Sequence, residues 1–174
     1  MSTVPWVRTN VKESLRSSIH IEFVLSPLHN CLSFREMKVI YEWSKTCPPA
    51  SRGPVAKSSI FLSTHEPCCM CISGITWTGF ERVFYFFPYE ITSEQGIPHD
   101  MNIMHELWGV KSYRKQNQFC NTANLMEMIR NLEESEHKNE LIKIQNRLIE
   151  KYAELSEKYH SEKEQNVDNS LVFG

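Results

Sequence analysis

His65-Glu66-Pro67-Cys68-Cys69-Met70-Cys71, with Ser59-Ile60-Phe61-Leu62-Ser63 before it and Val83-Phe84-Tyr85-Phe86-Phe87 after it, is the stretch on which the fold turns. The first flank reads as a short, mostly buried strand. The second is a continuous apolar run of strand length, the pattern of a strand covered on both faces. Between them, Pro67 suits a first helical turn and Gly79 a C-terminal stop, which predicts a helix from Cys68 to about Thr78. Strand, helix and strand in this order predict an α/β layer.

Outward from this unit, residues 19–25 alternate strictly, with Ile19, Ile21, Phe23 and Leu25 on one face. That period predicts another strand. Ser33-Phe34-Arg35-Glu36 has the form of a capping box and opens a predicted helix with Phe34, Met37, Ile40, Tyr41 and Ser44 on one face. Residues 47–54, rich in proline, read as a loop. A further helix is expected from about Pro98 to Leu107. Leu125, Met128, Ile129 and Leu132 have helical spacing, and Leu141, Ile144, Leu148, Tyr152, Leu155 and Tyr159 form a longer stripe. The stripe suits an antiparallel arm or about three heptads of coiled coil, a surface for packing or for homo- or hetero-oligomers. The expected organisation is a domain over 1–124, an amphipathic helical extension over 125–160 and a tail over 161–174.

The chain has 174 residues with 41% hydrophobic and 23% charged side chains, a globular composition. Nineteen basic against 21 acidic side chains leave a net charge of −2, which does not demand a polyanionic partner. No apolar run reaches the ~20 residues of a membrane span. Residues 1–10 lack the basic-then-apolar order of a secretory signal, so a cytoplasmic or nuclear protein is expected. Three of the six cysteines fall within four positions, a layout suited to metal or redox chemistry rather than to a disulfide framework. Cys47 and Cys120 are expected as free, partly buried thiols.

On a helix Cys68 and Cys71 are i and i+3, so both sulfurs point the same way. In the first turn, unpaired N–H groups and the helix dipole favour thiolate. Such a pair makes half of a tetrahedral zinc site, and the same placement serves thiol–disulfide exchange. Thr64-His65-Glu66-Pro67-Cys68-Cys69-Met70-Cys71, followed by Ser73-Gly74-Ile75-Thr76-Trp77-Thr78-Gly79 and the strand at Val83, resembles the zinc deaminase superfamily, within it the tRNA-adenosine and guanine deaminase branch. The resemblance spans roughly residues 19–110 and implies a three-layer αβα cytidine deaminase-like fold, shortened at its N-terminus. It also implies Zn2+ held by Cys68 and Cys71, with an upstream H-x-E supplying a third ligand and a proton-carrying glutamate.

That upstream half departs from the family. The literal His20-Ile21-Glu22 lies within a predicted strand. One register makes His29 the metal ligand and puts Cys31 where the family has glutamate. Another puts Glu36 on the catalytic position and Phe34, which cannot bind zinc, on the ligand position; Asn30 then matches a substrate-holding asparagine. A combination takes His29 as ligand and Glu36 as carboxylate. His65, His99 and His105 are the other candidate replacement ligands.

The implied reaction is hydrolytic deamination of an aminated purine or pyrimidine, free, as a nucleoside or in RNA. Zinc lowers the pKa of a bound water and the carboxylate carries protons from it to the base. Asn30 would hold the base, and Trp77 or a phenylalanine of 84–87 would stack on it. An altered ligand set also suits a catalytically weak deaminase-fold partner. Cys68 and Cys71 alone would suit a thiol redox protein.

Overall fold

Val83, Phe84, Tyr85, Phe86 and Phe87 are all buried, and the strand they form lies between two neighbours. A computed structural model of the chain describes residues 35–94 and 96–165. In chain order the elements are α1 (Arg35–Thr46), a 3-10 turn (Pro49–Ser51), α2 (Arg52–Ser58), β1 (Phe61–His65), α3 (Cys69–Thr78) and β2 (Arg82–Phe87). They continue with α4 (Tyr89–Glu94), α5 (His99–Trp108), β3 (Asn121–Asn124), α6 (Leu125–Arg130) and α7 (Glu136–Gln165). The described fold is thus mixed α/β, with a small parallel sheet of order β1-β2-β3 and a long C-terminal helix. The pairing runs from Phe61 opposite Val83 to His65 opposite Phe87, and from Arg82 opposite Asn121 to Tyr85 opposite Asn124. No helix among the described residues is long and apolar enough to cross a membrane.

The β1–α3–β2 unit follows the expected pattern. Cys68 caps α3, and Gly79 ends it at φ 96°, a left-handed conformation that glycine adopts without a Cβ clash. The β1 strand begins two residues later than the 59–63 expectation, because Ser59 N still bonds back to the last turn of α2. The 47–54 loop expectation is corrected. Most of that segment is helical, as the 3-10 turn and the start of α2. Pro54 stands in the first turn of α2, where its missing N–H forfeits no helical bond. Arg52 reaches back to the end of α1, donating from Nε to Cys47 O at 3.2 Å and from Nη2 to Ser44 O at 2.5 Å.

The inner face of α1 also differs from the expected one. Val39, Ile40 and Trp43 pack against the core of Ala56, Phe61, Ile72, Ile75, Phe80, Val83 and Cys120. Tyr41 points outward, with the Lys45 ammonium 4.0 Å from its ring centroid. The seam follows the Ile40–Trp43 spacing, which meets Phe80 at 5.2 Å between ring centroids, and Tyr41 falls off it. At Gly74 of α3 a Cβ would lie 2.5 Å from Met37 Sδ, so the bare glycine lets α1 approach closely.

Beyond the sheet, Asn124 caps α6 by accepting from Glu127 N at 3.1 Å, and Ser135 accepts from Lys138 N at 3.2 Å in the first turn of α7. The α7 helix continues through Gln165, so residues 161–165 of the expected tail are helical. Its Tyr152 packs edge-on against Phe87 and His65 at 4.7 and 5.0 Å. That contact makes the helix an arm folded onto the domain. Ile144 and Leu155 of the same stripe remain exposed. The expected strand at 19–25 and the capping-box residues Ser33 and Phe34 lie outside the described residues.

Candidate functional site

Parallel strands end together, and the helix after each starts at that end, so α3 begins at the C-terminal end of β1 with its unpaired N–H groups facing the space above the sheet. The approach to it is fixed from below. Glu66, whose side chain is 2% exposed, pairs with Lys115 and accepts from Tyr89 N at 3.3 Å. Tyr89 Oη donates to Pro67 O at 2.5 Å. The Lys115 ammonium lies 4.4 Å from the Tyr113 ring centroid and 5.4 Å from those of Tyr85 and Tyr89. Burial pulls that ammonium down to about 8. Backbone and side chain of residues 66–67 are therefore pinned immediately before the cysteines.

Cys68 Sγ accepts from Cys71 N at 3.3 Å, the N-cap role usually taken by an oxygen. Hydrogen bonding from the Cys71 thiol, aided by that N–H, holds the Cys68 thiol below its ordinary range. Cys71 is fully buried, and its thiol is pushed up, first by its bond to Cys68, then by burial and the Glu36 charge. The single Cys71 S–H is shared between Cys68 and Glu36, whose Oε2 lies 3.5 Å from Cys71 Sγ. The other carboxylate oxygen, Glu36 Oε1, accepts from Ser63 Oγ of β1 at 2.8 Å. One carboxylate thus joins α1, β1 and α3, across 35 positions of sequence from Cys71. The close α1–α3 approach at Gly74 and Met37, one residue beyond Glu36, is what brings it within reach.

A fourth acidic group faces this cluster. Asp100, in the first turn of α5, acts electrostatically on Cys68, Cys69 and Glu36, and burial with the Glu36 charge pushes its own carboxyl up. Sequence reasoning missed Asp100, since an acidic residue in a first helical turn is ordinary helix chemistry. No lysine or arginine of the described residues forms an ion pair with Glu36 or Asp100.

Two thiols, aimed together beside a carboxylate, suit two positions of a zinc site. Among the described residues no group of three His, Cys, Asp or Glu side chains has the geometry to hold a metal ion. His29, the expected third ligand, and Asn30, the expected substrate contact, lie outside the described residues. His65 is turned toward Phe87 and Tyr152, and His105 is exposed beside Glu106. Phe84, Phe86 and Phe87 are core residues and present no free stacking face. Trp77 is 92% exposed at the far end of α3, about 13 Å along the helix axis from Cys68. It is not brought to the cysteines. Cys47 and Cys120 are free and buried.

No family model, curated protein or solved structure matches this chain.

Proposed function

We propose that this chain is a zinc-dependent hydrolytic deaminase acting on an aminated nucleobase, with Cys68 and Cys71 as two metal ligands and Glu36 as the proton carrier. The observation that carries this reading is the Glu36 carboxylate, anchored at one oxygen and turned at the other toward Cys71. Of the registers open in the sequence, this geometry favours the one that gives Glu36 the catalytic position. The cytidine deaminase-like fold belongs to the same proposal, supported by the parallel β1–β2–β3 order and the helix that opens on the cysteines. The third ligand would come from the segment that contains His29.

Zinc, when bound, supplies a water of lowered pKa. Ser63 Oγ fixes Glu36 Oε1, which leaves Oε2 to accept a proton, deliver it to a ring nitrogen and then to the departing amine. Water replaces the amine as the ring C–N bond breaks, giving a carbonyl base and ammonia. Asp100, with raised proton affinity, offers a carboxyl to the N–H edge of the base. Burial of Cys71 and the pinned Glu66–Pro67 turn keep both sulfurs in register.

One observation supports a second reading. A low Cys68 thiol in front of a high, buried Cys71 thiol beside a carboxylate also suits thiol–disulfide exchange with a substrate disulfide. The test is elemental analysis of the purified chain together with ammonia release from a panel of aminated bases and nucleosides. The proposal expects one zinc per chain and ammonia release that is lost in Glu36→Gln while zinc is retained. A zinc-free chain with a reversible Cys68–Cys71 disulfide would establish the second reading instead.

A further inference from the structure

Within the apolar stripe of α7, Tyr152 turns inward onto Phe87 and His65, whereas Ile144 and Leu155 turn away from the domain. Each residue advances a helix by about 100°, so both lie about 60–80° round the axis from Tyr152, on the same side. They are 45% and 42% exposed, and half-buried Leu148 and exposed Lys151 lie between them on that face. A second stripe runs beside the first, on its side away from Tyr152. Lys143, Arg147, Glu150 and Glu154 follow one another four, three and four residues apart, and all are exposed. None of the four forms an ion pair among the described residues.

The order of these charges selects the occupant. Lys143 and Arg147 stand four residues apart, as do Glu150 and Glu154, and like charges at that spacing repel within a single helix. The sign changes once along the stripe, so the pattern opposes itself when reversed. Its centre falls between Leu148 and Ile149, within one residue of the midpoint of Ile144 and Leu155. A second copy lying antiparallel about that centre sets Ile144 against Leu155, Lys143 opposite Glu154 and Arg147 opposite Glu150, each twice by symmetry. A parallel copy in register would set like charges opposite one another. Lys151 fits the same arrangement, since one polar residue in an apolar helix seam fixes register and the number of partners. A partner of unrelated sequence gives no reason for the apolar and charged stripes to share a centre.

We propose that this outer face of α7 binds a second copy of the chain, as an antiparallel, two-fold symmetric helix pair centred near Ile149. This goes beyond the deaminase reading and stands without it, because no residue of the pair belongs to the thiol–carboxylate cluster and the test reads association rather than turnover. The experiment is sedimentation equilibrium of the full chain from about 5 to about 200 µM at about 50 mM salt, where charge pairs are little screened. A reversible dimer is expected. Ile144→Asp with Leu155→Asp should weaken it at least about tenfold. Charge order is tested by a fourfold swap, Lys143→Glu, Arg147→Glu, Glu150→Arg and Glu154→Lys. The swapped chain keeps every opposed pair and should dimerise with itself within about threefold of the wild-type affinity. It should not form mixed dimers with wild type, because like charges then meet across the seam. Free mixing of the two would overturn the antiparallel pairing. A dimer unmoved by the Ile144→Asp, Leu155→Asp variant would overturn the proposal by placing the contact elsewhere. So would a wild-type chain that stays monomeric to about 200 µM, the outcome if another segment of the chain or a different protein covers this face.

Discussion

At its N-terminal end α3 presents a half-buried Cys68 and a buried Cys71 to Glu36 in an acidic setting, where Ser63 and the Cys71 N–H hold the carboxylate and the Cys68 sulfur. At its C-terminal end, about 13 Å along the same helix, it holds Trp77 almost fully in water beside a basic loop. Stability considerations account for neither end. The cluster makes Cys71 and Asp100 harder to charge, and an exposed tryptophan forgoes the burial its ring would otherwise contribute. The difference is in how the two ends are held. The first depends on how α1, β1 and α3 pack around Glu36, whereas the second needs only a helix surface and a closed loop. Substitutions should therefore be far more damaging around the first than around the second.

The largest effect is expected from Glu36→Gln, which keeps the shape and the Ser63 contact but removes the proton acceptor. Ammonia release should fall by about 10²–10⁴-fold with zinc content unchanged. A variant that retained turnover would detach Glu36 from the chemistry. Next is Gly74→Val, whose branched side chain must swing the Met37 thioether out of the α1–α3 seam and crowds Ile40 behind it, easing α1 from α3. A loss of about 1–3 kcal/mol in urea unfolding is expected, together with weaker zinc retention, because Glu36 and Cys71 separate with the helices. Stability lost without any change at the metal would mean that the helix spacing does not position the site.

The thiols themselves offer a smaller test. In zinc-stripped protein, Cys68 is lowered and only half-buried, while Cys71 is raised and fully buried. Alkylation near neutral pH, followed by peptide mass mapping, should label Cys68 at least about tenfold faster than Cys71. Equal rates would erase the contrast between the two sulfurs. The smallest expected change is in the stability of Trp77→Ala, within about 0.5 kcal/mol of wild type, since the ring makes little contact with the fold.

The β1–α3–β2 unit was legible because several local signals agree there. Pro67 and Gly79 bracket the helix, and five consecutive buried residues mark β2. By contrast, β3 is Asn-Thr-Ala-Asn, with no apolar alternation to announce it. It is a strand because Asn121 N reaches Glu81 O and Thr122 N reaches Lys115 O at 2.8 Å, contacts set by tertiary structure. The Tyr89–Glu94 helix was likewise hidden behind the aromatic run. At the site, the cysteine spacing and the capping-box glutamate were visible, and the resemblance gave Glu36 its candidate role. The Ser63 hydroxyl and Asp100 were not visible, because nothing local distinguishes a serine in a strand or an aspartate in a first turn. Their significance arises only when the sheet brings α1, α3 and α5 around one point.

The most direct measurement is zinc per chain in protein purified without added metal, compared among the wild type, Cys68→Ser and Glu36→Gln. One zinc per chain in the wild type, lost in Cys68→Ser and kept in Glu36→Gln, is the expected result. A well-folded wild-type chain without zinc, or zinc that survives the loss of the Cys68 thiol, would contradict a metal site built on Cys68 and Cys71.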